Sequence, residues 1–211
     1  MHRIVLIGPP ASGKGTQCRR LQNLLNLPTL GTGKLLRKEV ELGTQLGLEV
    51  ESYLSSGAYV PDALIMELVK NWMARHSESG WLLDGFPRTL AQAEALEVDV
   101  SFQAPTLAIA LEVPQHELEQ RIASRRECAD CGATVSVGPS NEKNCKECGG
   151  LLESRADDDL ENFRRRFANY SELTQPLFDY YAANGKLLTI NGSGTSDEVF
   201  AVINNHFHPS G

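Results

Sequence analysis

The chain has 211 residues, enough for one domain with a small insertion, and its 41% hydrophobic and 22% charged content is ordinary globular composition. A formal net charge of −7 argues against a general nucleic-acid binder, and no apolar run approaches the roughly 20 residues a membrane span needs. The apolar residues 4–7 are too few for the hydrophobic stretch of a secretion signal, so a cytoplasmic protein is expected.

Residues 3–7 form an apolar, β-branched run, the pattern of a buried strand. A glycine-rich turn follows, then a helix over 16–25 in which Cys18, Leu21 and Leu25 recur at helical spacing. Residues 27–30 are a second short strand, and Thr32 is the expected N-cap of a helix to Lys38. Residues 45–54 place Leu46, Val50 and Leu54 on one helical face, with Gly57 to end it. Pro61 starts the next helix, with Leu64, Leu68 and Trp72 as its expected buried stripe. Trp81-Leu82-Leu83 is a strand ending at Asp84-Gly85. Residues 106–113 form the most apolar strand, and Pro114 opens the helix after it. Residues 157–183 carry a long helical pattern through Leu160, Phe163, Phe167 and Tyr170, broken or kinked at Pro176. Residues 186–190 give the last strand, and Thr195 with Glu198 makes a capping box for the closing helix. Strands alternating with helices imply an α/β protein, a parallel sheet covered on both faces.

Residues 128–153 depart from this alternation. They are rich in Gly, Asn and paired cysteines and poor in large apolar residues, so the segment is an insertion too small to fold on a core of its own. Cys128-x-x-Cys131 and Cys145-x-x-Cys148 are two knuckles, each followed by a glycine, Gly132 and Gly149. Four thiolates with no spare ligand describe a closed tetrahedral metal site, Zn²⁺ first and iron as the alternative. Its role is structural. The fifth cysteine, Cys18, falls on the first helix as an inert core residue.

Two further patterns bear on chemistry. Gly8-Pro9-Pro10-Ala11-Ser12-Gly13-Lys14-Gly15-Thr16 fits G-x-x-x-x-G-K between a strand and a helix, where backbone N–H groups cradle phosphate oxygens. Lys14 adds a mobile cation for the β and γ phosphates, and Thr16 can reach Mg²⁺. Arg88, Arg121, Arg125, Arg155 and Arg166 form no sequence patch in this acidic chain. Arg121 and Arg125 are spaced to share one helical face. Arg155 and Arg166 are spaced about three turns apart if the chain is helical throughout. Guanidinium groups suit bidentate phosphate clamping. Arg126, Arg164 and Arg165 read as part of a solvated charged face.

With these residues in hand, the sequence resembles the adenylate kinases of the long-lid, zinc-binding bacterial type, over nearly the whole chain. The likeness rests on residues 8–16, Thr32-Gly33-Lys34-Leu35-Leu36-Arg37, Gly57-Ala58-Tyr59-Val60-Pro61-Asp62, Asp84-Gly85-Phe86-Pro87-Arg88-Thr89 with Gln92, Arg121-x-x-x-Arg125, and Arg155-Ala156-Asp157-Asp158 with Arg166. It implies a P-loop three-layer α/β/α fold on a five-stranded parallel sheet. Residues 1–30, 61–123 and 159–211 would form the core, 31–60 a helical insert closing on the monophosphate, and 124–158 a zinc-ribbon-like lid closing on ATP.

By the same resemblance Thr32, Arg37, the Ala58, Tyr59 and Val60 backbone, Gly85, Phe86, Pro87, Arg88 and Gln92 would hold AMP. Ala11, Ser12, Gly13, Lys14, Gly15, Thr16, Arg121, Arg125, Thr134, Val135 and the Gly194 backbone would hold ATP. Arg155 and Arg166 would bridge the reacting phosphates, Asp157 and Asp158 would steady the lid arginines, and Asp84 would act through Mg²⁺-bound water. The implied reaction is reversible Mg²⁺-dependent phosphoryl transfer from ATP to AMP by a monomer with no nucleic-acid or membrane partner, serving adenine-nucleotide homeostasis and salvage. The attacking phosphate oxygen is already anionic, so no general base is needed, and no histidine of the chain is well placed to be one.

Two features depart from the family pattern. Lys34 stands where the family usually has Asp, and Thr134-Val135-Ser136-Val137 replaces the usual aromatic and His of the lid. A kinase acting on UMP or CMP is the alternative enzyme. Outside enzymes the alternative is a P-loop switch with a nucleic-acid-binding zinc ribbon, opposed by the net charge and by the lack of a stacking aromatic in the ribbon.

Overall fold

The computed structural model describes residues 1–76, 80–99, 102–137, 142–155 and 157–208. Ala156 of the Arg155–Asp158 element and residues 138–141 of the insertion lie outside them. The central sheet has β1 (Arg3–Ile7) in its middle, flanked by β3 (Trp81–Asp84) and β4 (Leu107–Glu112), with β2 (Thr29–Gly31) and β8 (Leu187–Asn191) at the edges. All four pairings are parallel.

Alternation along the strands divides the core in two. Ile4, Leu6, Leu82, Ile109 and Leu111 face α1 (Lys14–Leu25) and α9 (Ser196–Phe207), through Cys18, Leu21, Val199 and Ile203. Val5, Ile7, Leu83, Ala108 and Ala110 face α4 (Asp62–Met73), α5 (Leu90–Val98) and α8 (Leu177–Ala183). Both faces are covered, so the central strands are continuous apolar runs.

The register places the C-terminal ends of β1 and β3 side by side, with Leu6 opposite Asp84. The loops leaving these strands therefore open on the same edge of the sheet, where ligands of parallel α/β proteins bind. Between β2 and α4, α2 (Thr32–Glu41) and α3 (Gln45–Ser56) pack on each other. Between α6 (Gln115–Ser124) and α7 (Leu160–Asn169), β5 (Arg125–Cys128), β6 (Thr134–Ser136) and β7 (Leu152–Glu153) form a small antiparallel sheet in the order β6-β5-β7. Side chains of α7 satisfy the carbonyls left open at the end of α3. Asn162 Nδ2 donates to Ser55 O at 3.0 Å, Arg165 Nε to Ser56 O at 2.9 Å and Asn169 Nδ2 to Gly57 O at 3.0 Å.

Several local expectations are corrected. Thr32 is the first residue of α2 and not its N-cap. Gly31 takes that place, and the Thr32 hydroxyl donates to Gly85 O at 2.9 Å. The buried stripe of α4 is Ile65, Val69 and Met73; Leu64, Leu68 and Trp72 lie one residue round the helix and are only partly buried. Leu160 is 43% exposed, because α7 begins there behind the Asp159 cap. Between α7 and α8 the chain makes a π-helical turn over Tyr170–Thr174 before Pro176 caps α8. The capping box of Thr195 and Glu198 is present.

Candidate functional site

The glycine loop joins β1 to α1. Gly13 is the N-cap of α1 at φ 92, a left-handed conformation that favours glycine, and no side chain caps the helix. The first N–H groups of α1 are thus left for a ligand, at the positive end of the helix dipole. Lys14 Nζ folds back on the loop, donating to Gly8 O and Pro9 O at 2.7 Å each and to Ser12 Oγ at 3.4 Å. Burial pushes its pKa down to about 7. Asp84 works against that shift, and the charges of Arg88, Arg166 and Arg125 add to it. Asp84 closes β3, with Oδ2 3.5 Å from the point where a Cβ on Gly15 would stand, so its carboxylate faces the loop. Cys18 lies behind this surface, where burial pushes its thiol pKa up and keeps it inert.

A cavity of about 850 Å³ runs from this loop across the sheet edge, and Arg37, Arg88, Arg121, Arg125, Arg155 and Arg166 all line it. Arg88, Arg121, Arg125, Arg155 and Arg166 are each held by a different partner. Arg88 Nε donates to Gly85 O at 2.8 Å, and its guanidinium lies 5.1 Å from the Tyr59 ring centre. The Tyr59 hydroxyl meets Thr174 Oγ1 at 2.8 Å, and Thr174 donates to Arg88 O at 2.8 Å, a link that the π-helical turn brings into reach. Arg166 Nη1 donates to Asp157 Oδ2 at 3.0 Å. Arg125 Nε donates to Asp158 Oδ2 at 2.6 Å, and its Nη2 donates to Asp158 Oδ1. Arg121 Nη2 donates to Gly192 O at 2.7 Å.

The spacing argument for the arginines is corrected on two counts. Arg125 does not share a helical face with Arg121: α6 ends at Ser124, and Arg125 turns to extended backbone and opens β5. Arg155 is not three helical turns from Arg166, since it precedes α7. Both pairs still meet at the cavity, through tertiary packing. Electrostatically they act as one cluster. Burial pushes Arg166 down to about 10, with Asp157 opposing and Arg125, Arg88 and Arg37 adding to it. Arg37 is pushed down by burial and by Arg155. Arginines remain protonated at pH 7, so the cluster is a concentration of positive charge suited to a polyanion.

The other residues expected in contact with nucleotide divide clearly. Ala11, Ser12, Gly13, Gly15 and Thr16 line the main cavity, as do Thr134 and Val135 from β6 and Gly194 before α9. Gly85, Pro87 and Tyr59 line it on the opposite side. Thr32, Ala58, Val60 and Gln92 line a narrow adjoining pocket shared with Tyr59, Gly85 and Arg88. Phe86 lines neither cavity. Its side chain is fully buried in the core beside Phe102, with ring centres 6.5 Å apart, so it supports the loop from behind. Asp157 and Asp158 also stay outside the cavity walls and act on Arg166 and Arg125.

Some participants were not picked out from the sequence. Glu127 on β5, and not an aspartate, takes Arg155 Nε, while Arg155 Nη2 donates to Thr134 Oγ1 at 3.2 Å. Asp62 accepts from Gln92, and Glu147 in the second cysteine knuckle pairs with Arg19 of α1. Lys34, the departure on α2, reaches across to the turn after Cys131: its ammonium would be in contact with a Cβ on Gly132, with Glu127 Oε1 3.8 Å from that point. Asp62 had a signal in the sequence as the last residue of the element that starts at Gly57, and Lys34 as a departure from the family pattern; Glu127 and Glu147 had none.

The four knuckle cysteines come together in the small sheet. Their sulfurs all lie within 4.8 Å of one another, with Cys128 to Cys148 at 3.4 Å and Cys131 to Cys145 at 3.8 Å. None is in a disulfide. Tetrahedral coordination at a Zn–S distance of about 2.3 Å sets sulfurs about 3.8 Å apart, so the donor set fits a closed four-thiolate zinc site.

Comparison with known proteins gives one family. The model of the adenylate kinase family matches residues 6–186. Adenylate kinase of Thermodesulfovibrio yellowstonii is 42% identical over 204 residues, covering 94% of this chain and 95% of that one. Adenylate kinase of Syntrophobacter fumaroxidans is 41% identical over 95% of this chain and 97% of its own length. That of Methanosarcina barkeri is 40% identical over 95% of each.

Proposed function

Because this chain belongs to the adenylate kinase family, we propose that it transfers the terminal phosphoryl group of ATP to AMP, giving two ADP. The observation that carries this reading is the convergence of Lys14, Arg37, Arg88, Arg125, Arg155 and Arg166 on one cavity between the glycine loop and the Gln92 pocket.

ATP lies on the loop side, its phosphates along residues 11–16 and the open N-terminus of α1, with Arg121, Thr134, Val135 and Gly194 around the rest of the nucleotide, and Lys14, Arg88, Arg125, Arg155 and Arg166 around the transferring phosphoryl group. AMP lies on the other side, against Thr32, Arg37, residues 58–60, Gly85, Pro87, Arg88 and Gln92, with Phe86 supporting the loop from the core. An oxygen of the AMP phosphate attacks the γ-phosphorus, the bond from that phosphorus to the β–γ bridging oxygen breaks, and the electron pair stays on the ADP leaving group. Nucleophile and leaving group are both anionic, so no proton needs to move, and the cations supply positioning and charge neutralisation. Mg²⁺ arriving with the nucleotide would neutralise further phosphate charge. Thr16 would offer that ion a hard oxygen at the loop, and Asp84 would act on it through bound water.

Residues 1–30, 61–123 and 159–211 act as the frame, with 31–60 and 124–158 as the two closing parts. Cys128, Cys131, Cys145 and Cys148 would hold Zn²⁺, and that closed site would order the latter, which has a small apolar cluster. Closure excludes water, which would compete as a nucleophile. The chain is taken to work as a monomer. A cytoplasmic role in adenine-nucleotide balance completes the reading; among the described residues no helix is long and apolar enough to cross a membrane.

The test is stoichiometry. ATP-Mg²⁺ and AMP with the protein should yield two ADP per AMP consumed. ADP appearing at the same rate without AMP would mean hydrolysis and refute transfer.

A further inference from the structure

Gln92 is 2% exposed at the back of the narrow pocket, and both ends of its amide are engaged. Nε2 donates to Asp62 Oδ1 at 2.6 Å, and Oε1 accepts from the Arg88 backbone N–H at 2.7 Å. Asp62 Oδ2 accepts from the Thr89 hydroxyl at 3.0 Å, and Thr89 Oγ1 accepts from Gln92 N at 3.3 Å, so the carboxylate is itself fixed. Asp62 is the first residue of α4, where the helix dipole favours its negative charge.

These neighbours decide the orientation of the amide. An ionised carboxylate only accepts, and a backbone N–H only donates. Rotating the amide by a half-turn would set its oxygen against Asp62 and its NH₂ against the Arg88 N–H, losing two hydrogen bonds and making two repulsive contacts. With Asp62 and Arg88 served, the amide retains one N–H and one lone pair for the pocket. That pair complements a purine whose ring N1 accepts and whose 6-substituent donates, the 6-amino edge. A 6-oxo purine inverts both groups and fits only the rotated amide.

We infer that Asp62 is a positioning residue that locks Gln92 in the orientation selecting a 6-amino over a 6-oxo purine monophosphate. This rests on the proposed placement of AMP in the Gln92 pocket. Replacing the carboxylate by a carboxamide, which can turn its own NH₂ toward Gln92, removes one of the two locks.

The test compares kcat/KM for AMP and IMP, with ATP as donor, in the wild type and in Asp62→Asn. IMP differs from AMP only in having the inverted edge. The wild type should prefer AMP strongly. In Asp62→Asn the AMP-to-IMP ratio should fall by about tenfold or more, mainly through KM, with kcat for AMP little changed. Asp62→Glu, which keeps an acceptor-only group, should retain more of the ratio. Should Asp62→Asn not fold, Asp62→Ser, too short to reach Gln92, should show the same fall. A variant that loses efficiency on both purines equally, leaving the ratio intact, overturns the inference and leaves a merely structural role for Asp62. A wild type without preference for AMP over IMP overturns the placement of AMP itself.

Discussion

Arg125 and Asp158 clip together the two chain segments that enter and leave the cysteine-bearing insertion between α6 and α7. Arg125 opens β5 immediately after α6, Asp158 stands two residues before α7, and the side chains are 9% and 2% exposed. The bond is two-pronged, which fixes the plane of the guanidinium as well as its position. Asp158→Ala leaves a buried cation without its partner. It should cost about 3–5 kcal/mol of stability and, by displacing Arg125 from the cavity wall, lower kcat by about 10²-fold. Urea unfolding and steady-state kinetics on the same preparation check both. If neither changes, the clip is not structural.

Lys14→Ala should lower kcat by orders of magnitude and leave the fold intact, since among the described residues the side chain bonds only to its own loop. Its pKa gives a second prediction. The folded value is about 7 against 10.5 for an ordinary lysine, so between those values the unfolded chain holds more protons than the folded one. Stability from this group therefore rises with pH across that window, and the penalty of a buried ammonium is fully present below pH 7. A bound polyphosphate reverses the shift. Calorimetric titration of ATP at pH 8, in buffers of different ionisation enthalpy, should show proton uptake in the wild type that is reduced in Lys14→Met. Equal uptake in both would place the proton elsewhere.

How far the sequence foretold this molecule depended on whether a feature was local. Residues 3–7 and 106–113 were readable as strands because a strand buried on both faces must be a continuous apolar run. The glycine loop was readable because its backbone contacts lie within nine consecutive residues. The stripe on α4 slipped by one position, since Leu64, Leu68 and Trp72 have the same period as Ile65, Val69 and Met73, and only the packing chose between them. The end of α6 at Ser124 was invisible, because what draws Arg125 out of the helix is Asp158, 33 residues away. The same distance problem hid Glu127 as the partner of Arg155 and Asp62 as the partner of Gln92. Motifs named the residues that converge on the cavity and, in Asp157 and Asp158, two of the groups that hold them; Glu127, which holds Arg155, carries no such signature.

The cysteine site makes a separable prediction. Elemental analysis should find one Zn²⁺ per chain. Cys145→Ser with Cys148→Ser should release it, raise hydrogen exchange in β5, β6 and β7, and lower the melting temperature, while β1, β3 and β4 keep most of their protection. ADP formation should fall only as far as lid closure is impaired. A metal-free chain with four reduced thiols and unchanged exchange in the lid would refute the site.

Gly132 turns the chain after Cys131 at φ 67, a left-handed conformation that favours glycine. A methyl group there would meet the Lys34 ammonium, which sits at the end of a flexible side chain and can move aside. Gly132→Ala should therefore raise KM for ATP through backbone strain, and Lys34→Ala in the same chain should not restore it, so the two effects should add. Rescue by Lys34→Ala would mean that the ammonium, and not the backbone, is the obstacle.

The most direct measurement is an acceptor screen: initial rates of phosphoryl transfer from saturating ATP-Mg²⁺ to AMP, GMP, UMP and CMP, each over a full concentration range. AMP should give the highest kcat/KM, by about tenfold or more, because Gln92 presents its free N–H and lone pair to a 6-amino purine edge while the cation cluster takes the phosphates. A higher kcat/KM for UMP or CMP than for AMP, or no transfer to any of the four, would contradict the assignment of this cleft to ATP and AMP.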